Sequence, residues 1–355
     1  MSPATDFFSL LKPNFSTRTT NASAIPTQGF SRESEIESLS KSYKEIAKTA
    51  LVVENWPERN SIFFKDEDGV FTIPSFPEED APLAVVAMLD RNENARNILS
   101  ECGKIFASFL SDLRAALVGS AADYDSNENK TDAIGSGTES FVGFDNTTSS
   151  LTAEIDRCIW RVPVGTHHIT VAVFQEHPSI LARESDKQKW RRVEEDVAEE
   201  VFSQVSSYQE ENSVVIGAPI LHLESLLLTR DGALLAGFVD TSPSSSFQHL
   251  RTSALQIAAS IVDGDLTSRP KNLIHVTLGR LLALPEDLSD AQRTEANSLV
   301  RRYNTEILPA QTSYLHESIQ PQGATFELTE LTMIRDIVWT LQKIREYGSW
   351  TIDNR

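Results

Sequence analysis

The sequence predicts an α+β fold in which one series of elements occurs twice. From residue 83 onward, short apolar runs of strand length alternate with stretches of helical spacing. Two of the runs, "THHITVAVF" at 166–174 and "LIHVTLGRLL" at 273–282, carry a histidine followed two residues later by a threonine. Both take the middle slot in successive series of strand, helix, strand, helix, strand, which marks the body as duplicated by element order rather than by sequence identity.

Taken in order, residues 1–35 are rich in Ser and Thr and predict a disordered N-terminus. Residues 36–80 form an accessory unit. In it, Ile36, Leu39, Tyr43, Ile46 and Leu51 repeat at helical spacing along a polar stretch, which predicts a helix packed on the surface. "SIFFKDEDGVFTIPSF" then alternates about Asp68-Gly69 as a hairpin. The main body spans 81–353 and opens with a strand near Leu83–Leu89 and a helix through Ile98, Cys102, Ile105, Phe109 and Leu113. Residues 119–150 are acidic and poor in apolar side chains, so they predict a disordered insert whose burial cannot offset its ordering entropy. The first histidine strand follows, then a helix through Trp190, Val193, Val197, Val201 and Val205 and the strand "PILHLESLLLT", which completes the first lobe. An Asp231-Gly232 turn leads into "ALLAGFVD", a helix through Leu250, Ala254, Ile257 and Ile261, and the second histidine strand. A helix opened by a capping-box pattern at Ser289–Gln292 runs to about Tyr303, "TFELTELTMI" closes the second lobe, and "SWTI" adds an edge strand.

Composition bounds the function. A chain of 355 residues with 40% hydrophobic content can bury a sizeable core. No run approaches the roughly 18 apolar residues of a membrane span, which predicts a soluble protein without a membrane partner. The net charge of -19 argues against long duplex nucleic acid, because phosphate contacts draw on clustered Lys and Arg, whereas a local basic pocket still accommodates one small anion. Cys102 and Cys158 fit neither a disulfide framework nor a zinc site and predict a reducing compartment. The N-terminal thirty residues loosely resemble an organellar transit peptide but lack an Arg-rich amphipathic pattern, so the cytoplasm is the expected compartment and organellar targeting the alternative.

On a strand, residues two apart share a face, so His168 and Thr170 project together, opposite Ile169 and Val171. His275 and Thr277 likewise project opposite Val276 and Leu278. A rough twofold between the halves would bring the two pairs together across a groove. With a reference pKa of about 6.5, one imidazole can take a proton from an attacking water while the other gives one to a departing oxygen. Threonine hydroxyls donate to non-bridging phosphate oxygens, whose charge grows as phosphorus becomes five-coordinate. This chemistry demands no metal and no cofactor, and it suits a phosphodiester, in particular a strained cyclic one whose leaving group stays tethered. Either histidine fits either role.

Paired HxT followed by an apolar residue, on equivalent strands of a duplicated α+β body, resembles the 2H phosphoesterase superfamily, which includes RNA 2′,3′-cyclic phosphodiesterases and the RNA ligase/cyclic nucleotide phosphodiesterase group. The resemblance in element order covers residues 83 to 353, and the chain departs from compact members in its N-terminal extension and acidic insert. It implies a bilobal fold, with two antiparallel-type sheets lining a central groove and helices outside. It implies that His168 and His275 are catalytic, that Thr170 and Thr277 bind the substrate phosphate, and that no metal takes part. The expected activity is hydrolysis of a 2′,3′-cyclic or related cyclic phosphodiester in a nucleotide or at a short RNA end. The alternative is a catalytically silent nucleotide-binding, RNA-binding or scaffold protein that uses the same groove.

Other residues read as structural. His167 faces away from His168, and Arg280, five residues after His275, falls off the catalytic face if the strand stays regular. His222 reads as a satisfied histidine near the groove, and His177, His249 and His316 read as loop positions. Arg280, Arg161 and Lys271 read as solvated charge, with assistance to the phosphate as the alternative, and Gly165 and Gly279 as sites of bending or close packing. Neither GxSxG nor a Cys/His signature supports acyl transfer, and no HExxH spacing supports a metal centre.

Overall fold

A computed structural model of the chain describes residues 32–49, 63–65, 71–73, 75–78, 81–128, 146–163, 165–175, 217–243, 246–262, 273–285, 287–319, 323–338 and 341–352. It is mixed helix and sheet, with two antiparallel sheets, one of them curled into a half-barrel. Helix α1 (Arg32–Thr49) precedes the hairpin strands β1 (Phe64–Lys65) and β2 (Phe71–Thr72), which pair Phe64 with Thr72. The body continues through β3 (Leu83–Met88), α2 (Glu93–Glu128), α3 (Asn146–Arg157), β4 (Ile159–Arg161), β5 (His168–Gln175), β6 (Ile220–Leu228), β7 (Ala233–Asp240) and α4 (Ser246–Val262). It ends with β8 (Ile274–Leu281), α5 (Asp290–Arg302), α6 (Leu308–Ser318), β9 (Thr325–Glu327), β10 (Glu330–Val338) and β11 (Lys343–Thr351).

The acidic stretch expected to be disordered over 119–150 is helical at both ends, since α2 runs to Glu128 and α3 begins at Asn146. The apolar stripe of α2 from Ile98 to Leu117 is buried and anchors the helix in the core. Extending an existing helix costs far less than starting one, so the polar residues that follow continue it. The helix expected through Trp190 to Val205 lies outside the described residues.

One sheet has the order β11-β10-β3-β5 and the other β4-β8-β7-β6-β9. This overturns the assignment of strands to lobes. β6 does not complete a lobe with β5; it pairs with β7, and "TFELTELTMI" splits into β9, which joins β6, and β10, which joins β3. A tight turn forces consecutive strands to be neighbours, and the Asp231-Gly232 turn does this for β6 and β7. Outward from each histidine strand the two orders are β5-β3-β10-β11 and β8-β7-β6-β9, so each sheet takes its third strand from the other series.

The capping box at Ser289 is present, with the Ser289 hydroxyl accepting from the Gln292 backbone N–H and the Gln292 side chain accepting from that of Ser289. The helical run does not stop near Tyr303 but passes through a π-helical turn at Tyr303–Ile307 into α6. Pro309, at the head of α6, lacks the N–H that would bond Thr305, and the wider turn accommodates that loss. His316 therefore lies on α6 and His249 on α4 rather than in loops.

Leu39, Tyr43 and Ile46 of α1 are buried, and the helix packs on β6 and β7 as part of the main core rather than on the surface alone. The Tyr43 hydroxyl lies between the paired residues Phe238 and Ile274. It accepts from their N–H groups at 3.2 and 3.3 Å and has their carbonyls at 2.9 and 2.7 Å as acceptors for its own proton. Burial pushes its pKa well up, so it stays neutral. Tyr43→Phe leaves these buried groups without their partner and should lower unfolding free energy by about 1–3 kcal/mol, read as a shift of the urea midpoint at constant m-value. Among the described residues, no helix is long and apolar enough to cross a membrane.

Candidate functional site

The two histidine strands are built alike. On β5, His168 pairs with Met88 and Thr170 with Val86; on β8, His275 pairs with Gly237 and Thr277 with Leu235. Ile169, Val171, Val276 and Leu278 enter the main core, with Ile169, Val171 and Val276 fully buried, whereas the two histidines and two threonines are partly exposed. One face of each strand therefore carries the histidine and the threonine, and the other enters the main core.

Both strands break register at the same place. The pairing passes from Thr170 to Ala172 on β5 and from Thr277 to Gly279 on β8, so one extra residue, Val171 or Leu278, follows each threonine. Such a bulge bends the strand and restarts the alternation one residue late. Arg280 consequently returns to the face of His275 and Thr277, which corrects the expectation from a regular strand. The matching residue on β5 is Val173, paired with Ala84 as Arg280 is paired with Ala233. Gly279 faces the helices, for a Cβ there would come within 2.4 Å of the Phe106 ring. Arg280 donates to Asp231 at 2.5 Å and has Trp160 of β4 as its other cross-strand neighbour. Arg161, at the end of β4, is exposed, and Lys271 and His177 lie outside the described residues.

The approach to β5 fixes its imidazole. Gly165 adopts φ 94° in a turn closed by the Thr166 N–H on the Pro163 carbonyl, and the Thr166 carbonyl then lies 2.9 Å from His168 Nδ1. A carbonyl only accepts, so Nδ1 carries the proton and Nε2 keeps its lone pair in the neutral ring. Burial holds the His168 pKa below the usual histidine value despite that hydrogen bond, and neighbouring His167 lowers it further. His167 precedes the strand, where its carbonyl accepts from the Leu89 N–H, and burial lowers its pKa against the pull of Asp90.

Two residues to which the sequence reading gave no role at the site hold the start of β8. A Cβ on Gly237 would stand 2.7 Å from the Tyr43 ring. Because Gly237 is the cross-strand partner of His275, that ring lies on the His275 face. Arg251 of α4, only 3% exposed, donates from Nε to the Val171 carbonyl at 2.8 Å and from Nη2 to the carbonyls of Thr170 and Leu273 at 3.3 and 3.1 Å. Its guanidinium also lies 4.7 Å from the centre of the Phe247 ring. Burial pulls its pKa down to about 10, which leaves it charged at neutral pH. The available signal was its position: Arg251 falls on the inward stripe of Phe247, Leu250 and Ala254, where an arginine needs partners.

His222 of β6 also lies on this face, with Nδ1 3.0 Å from the Thr325 hydroxyl and its ring stacked on His316 at 4.3 Å between centres. Burial lowers both pKa values. Among the described residues, no three His, Cys, Asp or Glu side chains converge as a metal site. Each strand carries an imidazole and a hydroxyl on its partly exposed face, groups able to transfer protons and to donate to an anion, and β8 adds Arg280, whose guanidinium is paired with Asp231. Comparison of the chain with protein-family models and with curated protein sequences gives no match.

Proposed function

We propose that the chain is a metal-independent phosphodiesterase of the 2H type. It would hydrolyse a 2′,3′-cyclic or related cyclic phosphodiester of a nucleotide or RNA end in a groove between two lobes. The observation that carries this reading is the matched pair of strands, each with a histidine and a threonine on its partly exposed face and a bulge directly after the threonine.

His168 is the better base, because its Nδ1–H is engaged by Thr166 and its lowered pKa keeps Nε2 unprotonated at neutral pH. Nε2 takes a proton from water as the water oxygen bonds to phosphorus. The Thr170 and Thr277 hydroxyls donate to the non-bridging oxygens as their charge increases. His275, acting as the acid, gives a proton to the ribose oxygen as the P–O bond breaks, leaving a phosphomonoester and a free hydroxyl.

The test is hydrolysis, in EDTA, of 2′,3′-cyclic nucleotides, ADP-ribose cyclic phosphate and short RNAs with cyclic ends. Phosphomonoester release is expected, and its absence on all of them from folded protein would overturn the reading. The pH profile adds a second check. A base is lost on protonation, so kcat/KM should fall on the acid side only below about pH 6.5, the unperturbed histidine value. A fall that begins well above that pH would exclude His168 as the base.

A further inference from the structure

We propose that Arg251 is a positioning residue that sets the spacing between the two histidine-threonine pairs, an inference that rests on the phosphodiesterase reading of those pairs. β5 and β8 run side by side, yet among the described residues they belong to different sheets and share no ladder of backbone hydrogen bonds. Among the described residues β5 is the terminal strand of its sheet, so no ladder of backbone hydrogen bonds joins its outer edge to β8. Arg251 occupies this seam. It bonds the carbonyl of Thr170, the carbonyl of the bulge residue Val171, and the carbonyl of Leu273 two residues before His275. One side chain thus bonds the strand of His168 and the lead-in to the strand of His275.

The choice of residue fits the task. Guanidinium is planar, with several donors at fixed angles, so it sets both separation and orientation of the acceptors, whereas an ammonium is a point charge on a flexible stem. The Phe247 ring restrains it further, and β7 places it: the Asp240 carboxylate accepts from the Ser242 and Phe247 N–H groups at 2.9 and 2.8 Å and so fixes the start of α4. Tyr43 holds the same end of β8 through the backbone of Ile274. A buried charge is costly unless fully bonded, and a hydrophobic residue would pack here at lower cost if only core filling were needed. An acid and a base acting on one phosphorus tolerate little error in their separation.

The test compares wild type with Arg251→Lys and Arg251→Met, using 2′,3′-cyclic AMP as substrate and thermal unfolding to measure the folded fraction. Arg251→Lys keeps charge and stem but cannot span three carbonyls, so kcat per folded molecule should fall about 100-fold, the effect of an ångström-scale misplacement, while KM changes little. A variant with lowered thermal stability but unchanged kcat per folded molecule would show a merely structural role and overturn the proposal. If wild type turns over none of the cyclic phosphates, the phosphodiesterase reading falls, and NMR titration of the imidazoles decides the positioning role independently. The positioning role requires the two imidazoles to titrate as a coupled pair, so His168→Ala should move the His275 midpoint in the wild-type background and move it less in Arg251→Lys. No movement in wild type, or equal movement in both backgrounds, would overturn it.

Discussion

His275→Ala should lower kcat on a cyclic phosphodiester by about 10³-fold, and His168→Ala by a similar factor, within the range expected for loss of one general acid or base. KM and the thermal midpoint should change little, because both side chains are partly exposed and neither belongs to the buried apolar core. The double variant should be scarcely slower than either single one, since proton removal and proton delivery act in one transition state and losing either leaves the other without a partner step. The two variants separate the roles by pH. His168→Ala should abolish the fall of kcat/KM on the acid side, and His275→Ala the fall on the alkaline side. Substantial turnover in either variant would remove that histidine from the mechanism.

Gly232→Ala should lower stability by about 3 kcal/mol, through left-handed strain together with a backbone collision. Gly232 has φ 77°, and a Cβ there would stand 2.2 Å from the Leu281 carbonyl oxygen. That oxygen belongs to the end of β8 and cannot swing aside as a side chain does, because the Leu281 N–H is itself bonded to the Gly232 carbonyl at 2.8 Å. Gly165→Ala is the control: φ is positive there too, at 94°, but a Cβ meets nothing within 4 Å, so only strain of about 1 kcal/mol applies. Equal urea midpoints for the two variants would contradict this account.

What was legible in the sequence was local. The alternation of "HITV" and "IHVT" up to each bulge, the Asp231-Gly232 turn and the Ser289 cap each depend on neighbours a few residues away, and each has its expected form. Strand partnership was not legible, because β6 carries apolar side chains that suit either sheet and its choice depends on the turn and on the distant β9. The face of Arg280 was hidden for a different reason: a bulge leaves no mark in hydrophobic periodicity, and one unpaired residue at Leu278 inverts everything after it. Tyr43 and Arg251 were hidden because helical spacing tells which side chains turn inward but not which backbone groups they meet there.

The exchange of β6 and β10 also governs the order in which the molecule can be made. A chain emerging from its N-terminus presents β3 and β5 early, but their sheet waits for β10 and β11, which lie more than 150 residues after β5. Until then β3 has an open edge, the kind of surface on which nascent chains aggregate. The sheet of His275 has β6, β7 and β8 in direct succession and can assemble first. Neither series of elements is an autonomous folding unit, and truncation near the C-terminus would strip strands from the sheet that carries His168, the histidine farther from the cut in sequence.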